Sequence, residues 1–160
     1  MQETIVKMLI TFGIGMSPIL ELRGAIPFAI GVLHLPTWQA FLAAVLGNML
    51  AVVIILKYLN PVSNFLMKNS PFINKYLTAL FHKTRHKHSK RFNEIGAIFL
   101  ISFVAVPLPI TGAWTGALIS FLFGVSPKKA FILISIGILC AGVLVSLGFE
   151  SISALVRIFS

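Results

Sequence analysis

The sequence has no aspartate, a single cysteine, and four acidic residues that are all glutamate: Glu3, Glu21, Glu94 and Glu150. With Cys140 alone, an intramolecular disulfide framework and a cysteine-based metal cluster within one chain are both excluded. Charge of either sign is scarce. Only 11% of the 160 residues are charged, against roughly 25% in soluble domains. An ordinary water-soluble globule is excluded, because 58% of the residues are hydrophobic, 14 Phe among them, and the polar remainder cannot cover them. The mean hydropathy of +0.97 makes lipid the solvent for most of the chain, so one membrane domain is expected. A catalytic constellation is missing too: there is no aspartate, no Ser-His-acid set within reach and no phosphate-cradling loop with its lysine. Neither an enzyme nor a cofactor is expected. The start carries Glu3 before Lys7 and leads into Pro18, Glu21 and Arg23 without a small-x-small cleavage pattern, so the N-terminal segment is expected to stay attached.

What is present is basic. Thirteen Lys and Arg against four acids give +9, and eight of the thirteen fall between residues 57 and 91. Flanked by apolar stretches, this cluster reads as a cytoplasmic juxtamembrane segment facing anionic lipid headgroups rather than nucleic acid. Within it, apolar residues at 62, 65, 66, 73, 76, 77, 80 and 81 follow helical spacing on either side of Pro71. They predict a pair of short amphipathic surface helices leading into the tract 82–91. His82, His86 and His88 lie in that tract, but the interleaved lysines repel cations, so no metal is expected there.

Two segments of about 20 residues, Trp38 to Leu56 and Ala130 to Phe149, carry no charge and are long enough to cross a bilayer. Two other apolar regions are broken: 5–35 by Ser17-Pro18, Glu21, Arg23 and Pro27, and 95–125 by Val106-Pro107-Leu108-Pro109. The arms of the second region, 95–106 and 112–125, reach roughly 18 and 21 Å as helices, short of the roughly 30 Å hydrocarbon core. Re-entrant hairpins are expected, with their irregular tips near mid-depth. The expected fold is therefore an all-α integral membrane protein. Repeat 1 (1–60) holds a hairpin at about 5–35 and a crossing helix at about 37–58. A basic connector follows at 61–93, and repeat 2 (94–160) holds a hairpin at about 95–125 and a crossing helix at about 129–149. That topology puts ten Lys and Arg inside, counting Lys128 and Lys129, and only Lys7 and Arg157 outside, as the positive-inside rule requires. The order of broken hairpin, Pro-containing loop and uncharged span occurs twice with one crossing helix between, which predicts an inverted repeat with its site at the repeat interface.

Glu21 and Arg23 carry the chemistry, because an ionised side chain at bilayer depth costs on the order of 3 kcal/mol and normally faces a protein interior or a water-filled cavity. Either Arg23 offers its fork of donors to an anionic headgroup such as phosphate while Glu21 exchanges a proton, or the two form a structural ion pair closing the tip. At the second tip, Thr111, Trp114 and Thr115 either bind substrate or satisfy backbone groups freed by the break. Gly112, Gly116, Ser120 and Gly124 form a stripe every four residues that lets another helix approach. Asn48 is polar in mid-span, as interhelical glue or as a ligand. Pro18, Pro27, Pro107 and Pro109 are the expected tip breaks.

The run Glu21-Leu22-Arg23-Gly24-Ala25-Ile26-Pro27, with the later Val106-Pro107-Leu108-Pro109 and Thr111-Gly112-Ala113-Trp114, resembles the small multidrug export protein family of bacteria and archaea over almost the whole chain. That family is distantly similar to the DedA/VTT superfamily, whose members carry two oppositely inserted re-entrant hairpins and include transporters of undecaprenyl phosphate and other lipids. The resemblance implies transport, with an acid and an arginine at the tips as functional groups, and Glu21 takes the acidic position of the first hairpin. The second hairpin lacks the arginine of the DedA pattern, so Arg23 substitutes for it or the substrate is not a phosphate. The expected activity is a small transporter or flippase for an amphiphilic, anionic lipid-phosphate substrate, coupled to protons and working as a homodimer. An exporter of cationic drugs and a non-transporting scaffold are the alternatives.

Overall fold

Helices end at Ser17-Pro18 and at Val106-Pro107, and the computed structural model describes residues 2–75, 78–79, 95–108 and 111–159. Helices α1 (Gln2–Met16) and α2 (Glu21–Gly31) flank the first break, and the 33-residue α3 (Thr37–Asn69) follows. Helices α4 (Ile95–Ala105) and α5 (Ala113–Leu122) flank the second, and the 33-residue α6 (Pro127–Phe159) closes the chain. Helical residues also continue at 71–75 after Ser70, and no strand occurs among the described residues. Short, short, long therefore occurs twice. The α3 and α6 helices are long and apolar enough to cross a membrane, whereas α4 and α5, at 11 and 10 residues, are not.

Three expected boundaries are corrected. Pro27 does not break a tip but lies inside α2. Its ring removes one intrahelical hydrogen bond, and the helix persists because Ala25, Ile26 and Ala29 around it are wholly buried. Pro61 likewise lies inside α3, so the helix expected to end near 58 runs to Asn69, and its last turns take up the start of the expected connector. The α6 helix passes ten residues beyond the expected end at 149, which places Glu150 within it. Pro109 and the basic tract 82–91 lie outside the described residues.

Packing orders these helices into two interlocked halves. In each half the first arm lies on its own long helix, α1 on α3 and α4 on α6, while the second arms cross over, α2 also packing on α6 and α5 on α3. Glycines set the closest approaches. A methyl group at Gly47 would strike the Phe12 carbonyl, and one at Gly137 would come 3.0 Å from the Ile101 carbonyl. The two contacts are in register: each glycine is the eleventh residue of its long helix, and each carbonyl belongs to the fifth residue from the end of its short one. Ala40 and Ala130, both wholly buried, are each the fourth residue of the long helix. The core along these seams is small or branched apolar, including Ala44, Val52, Leu100, Val104, Ile134 and Ile138.

The long helices run antiparallel. Thr37 at the start of α3 bonds Glu150 late in α6, and a methyl group at Gly142 would meet Phe41 and Val45. Lys57 and Lys68, late in α3, therefore share one end of the molecule with Lys128 and Lys129, at the start of α6. At the other end, Met8 packs against Ala29, Leu35 and Ala40, so α1 folds back along α2 towards the turn that precedes α3.

Candidate functional site: two tips that cap each other

A broken helix exposes the N–H groups that begin one arm and the carbonyls that finish the other, and burial makes each of them costly to leave unpaired. Here each tip supplies what the other lacks. The Glu21 carboxylate accepts hydrogen bonds from the Ala113 and Trp114 N–H groups at 3.3 and 3.2 Å, one on each oxygen. It thereby caps the N-terminus of α5, where a negative charge also meets the positive end of the helix dipole. Arg23, two residues on, donates through Nη1 to the Leu108 carbonyl, and through Nη2 to the Thr111 hydroxyl at 3.1 Å and the Val106 carbonyl at 3.4 Å. Those carbonyls follow the end of α4, so the cation faces the negative end of that helix. In return, the Trp114 indole N–H donates to the Met16 carbonyl, the last residue of α1, at 3.2 Å.

Local backbone prepares this exchange. In the first break, Ser17 accepts from the Leu20 N–H through its side chain and from the Glu21 N–H through its carbonyl, both at 3.2 Å. Glu21 itself adopts φ 48°, a left-handed conformation that costs a non-glycine residue roughly 1–2 kcal/mol. The turn throws its side chain across to the other tip. There the chain is glycine, Gly112 at φ 150°, and any Cβ on it would overlap the Glu21 carboxylate. Thr111 bridges its own break by accepting from the Leu108 N–H at 3.3 Å and lying 2.9 Å from the Val106 and Leu108 carbonyls. The Thr115 hydroxyl donates to the Gly112 carbonyl at 3.2 Å.

Glu21, Arg23, Thr111, Trp114 and Thr115, drawn from both halves, thus meet around one cavity of about 400 Å³, with Pro18 and Pro107 in its wall. Glu21 is 7% exposed. Arg23 retains one buried donor, Nε, without a partner. The two side chains do not pair with each other; among the described residues the ion pair is Lys7–Glu3. Charge–charge closure of one tip, the bland expectation, is replaced by charge–dipole closure between two.

Asn48 stands apart. It is wholly buried, does not line this cavity, and both its amide atoms lack hydrogen-bond partners. The small-residue stripe on α5 divides its work: Gly112 faces Glu21, Gly116 faces Val104, Ser120 is buried and donates to the Ala117 carbonyl, and Gly124 turns the chain at φ 71°. A feature not anticipated from the sequence is a second cavity of about 320 Å³ at Glu150 and Thr37; Glu150, directly after the uncharged run Ala130 to Phe149, gave little sign of it. Among the described residues no group of three His, Cys, Asp or Glu could hold a metal.

A family model described as "Putative small multi-drug export protein" matches residues 21–144 of the chain. No curated protein and no solved structure matches it. The matched stretch begins at Glu21, after the break at 17–20, and takes in Glu21, Arg23 and the whole second tip with the helices between them.

Proposed function

The chain belongs to this family of export proteins, and from that membership together with the clasp between the tips we propose that it is a membrane transporter whose transport site is the tip cavity. Its two hairpins are re-entrant, enter from opposite faces as an inverted repeat, and meet near mid-depth. The matched registers of Gly47 with Phe12 and of Gly137 with Ile101 support that reading. So does the collection of Lys57, Lys68, Lys128 and Lys129 at one end, which is cytoplasmic by the positive-inside rule. The likeness to the DedA/VTT superfamily belongs to the same proposal.

The observation that carries the reading is the Glu21 carboxylate on the Ala113 and Trp114 N–H groups. These N–H groups, with the spare Nε–H of Arg23 beside them, are a preformed set of donors for an anion. In the closed state Glu21 occupies it. When Glu21 takes up a proton, its hold on the helix terminus weakens, and the phosphate of an amphiphile can take its place. Its apolar chain lies against Ile19 and Leu20, which are exposed at the cavity wall. Proton uptake and anion binding are thereby alternatives at one helix end, which is the chemical basis for coupling them. Direct binding of a cation by Glu21 is the weaker reading, because both oxygens already face N–H donors. The protein works as a transporter rather than an enzyme, in the cytoplasmic membrane, and the homodimer remains part of this proposal.

Reconstituted protein tests it. Proteoliposomes should translocate a fluorescent polyprenyl phosphate faster under an imposed proton gradient. Glu21→Gln should abolish the dependence on the gradient, and Arg23→Ala should lower the rate at least tenfold. Transport that proceeds unchanged in both variants would overturn the assignment of the site.

A further inference from the structure

Among the described residues, Glu150 is the acid with a carboxylate oxygen left over in a cavity, and it is not the one at the tips. Glu150 lies at the end opposite the lysine-bearing one, where α6 passes the start of α3. Its Oε1 accepts from the Thr37 hydroxyl at 2.5 Å, and among the described residues its Oε2 has no hydrogen bond. It could be dismissed as a counter-charge for the N-terminus of α3. The bonding argues otherwise: the Gln39 and Ala40 N–H groups are taken by the Pro36 carbonyl, and no N–H of α3 donates to Glu150. At Glu21, by contrast, each oxygen faces a backbone N–H.

The surroundings of Glu150 select its ligand. The cavity of about 320 Å³ is walled by Ile30, Phe149 and Ala154, with Thr37 and Ser153 as its other polar residues, and among the described residues no Lys, Arg or His lines it. Ser153 is already spent, donating to the Phe149 carbonyl at 2.8 Å. Gly31 lets α2 pack close to the Phe149 ring, 3.1 Å from where a methyl group would sit. A free carboxylate oxygen beside an aromatic ring and aliphatic walls fits a positive charge on an apolar body. It repels an anion.

We propose that this cavity is a second binding site, distinct from the tips, for a lipophilic organic cation, with Glu150 as its counter-ion and Phe149 as its aromatic wall. It uses none of the groups of the tip clasp, so it stands or falls apart from the transport reading. The ammonium of a lipid headgroup and a soluble lipophilic cation share this chemistry.

The test is equilibrium binding of radiolabelled tetraphenylphosphonium to the full chain in detergent, with tetraphenylborate as the anion of the same shape. Saturable binding of the cation but not of the anion is expected, weakened at least tenfold in Glu150→Gln. Gln can still accept from Thr37, so its fold is preserved. Ala154→Phe, at an exposed position, fills the cavity with the charge unchanged and should weaken binding to a similar degree; it decides the matter should Glu150→Gln not purify folded. Wild-type affinity in both variants overturns the proposal, as does a loss confined to Glu21→Gln, which would move the cation to the tips. Nanodiscs of phosphatidylglycerol with and without phosphatidylethanolamine separate the two sources. A lipid ammonium as occupant raises the apparent Kd at least threefold when the ethanolamine lipid is present, and a soluble cation as occupant leaves it unchanged. Absence of binding in the disc of phosphatidylglycerol alone overturns the proposal.

Discussion

The two hairpins have the same order of arms and the same register against their long helices, yet one tip carries two charges and the other none. The first tip spends Glu21 on the N–H groups at the start of α5 and Arg23 on the carbonyls after α4. The second tip answers with backbone dipoles and a single indole N–H, that of Trp114. Buried charge is costly, and concentrating it on one tip lets both helix ends of the other be satisfied without a second charged pair. The second hairpin holds no arginine of its own, and Arg23 reaches its carbonyls from the first.

The sharpest way to break this asymmetry is from the uncharged side. Gly112→Ala keeps both charges but places a methyl group where the Glu21 carboxylate lies, at a φ of 150° that side chains rarely adopt. Relaxation must either withdraw Glu21 from the helix end or unwind α5. The expected loss is about 3 kcal/mol, from strain plus a charged hydrogen bond. Thermal unfolding followed by loss of monodisperse protein in detergent should show the largest drop of any single substitution at the tips. A Gly112→Ala protein as stable as the parent would show that Glu21 does not cap α5.

The reciprocal bond is weaker because it is neutral. Trp114→Phe keeps an aromatic ring but removes the N–H that meets the Met16 carbonyl together with the rest of the half-buried indole, so a loss of about 1–2 kcal/mol is expected in the same assay. The comparison between halves is sharpened by the ratio of these two effects. Should Trp114→Phe cost as much as Gly112→Ala, the clasp is symmetric in energy, and the placing of the charges is not what holds it.

Much of the architecture is legible from proline and charge alone. Ser17-Pro18 and Val106-Pro107 mark the breaks, and the arms of α4 and α5 are as short as their apolar runs require. Pro27 and Pro61 mislead because the removal of one N–H is a local loss, whereas burial of Ala25, Ile26 and Ala29 beside Pro27 is cooperative across helices. Glu21 and Arg23 stand out in the sequence as charges without water. Their partners do not, since Ala113 N–H and the Leu108 carbonyl lie 92 and 85 residues away and backbone groups carry no signature. Glu150 is missed for the opposite reason: at the end of an uncharged run it looks like an ordinary boundary residue, and only the crossing of α6 past Thr37 gives it a cavity.

Asn48 brings the smallest expected effect and separates the helices from the tips. A buried amide with neither atom paired normally costs about 1–3 kcal/mol, and it sits one residue after Gly47, where α1 presses closest on α3. If it serves only as unsatisfied packing, Asn48→Ala trades a small void for the removal of that cost. The two then nearly cancel, leaving stability within about 1 kcal/mol of the parent. Transport, placed at the tips by the proposed function, should be unchanged. A large loss of stability would instead mean that the amide is paired inside the membrane, and would return Asn48 to the role of glue between helices. A loss of transport at unchanged stability would put it among the ligands after all.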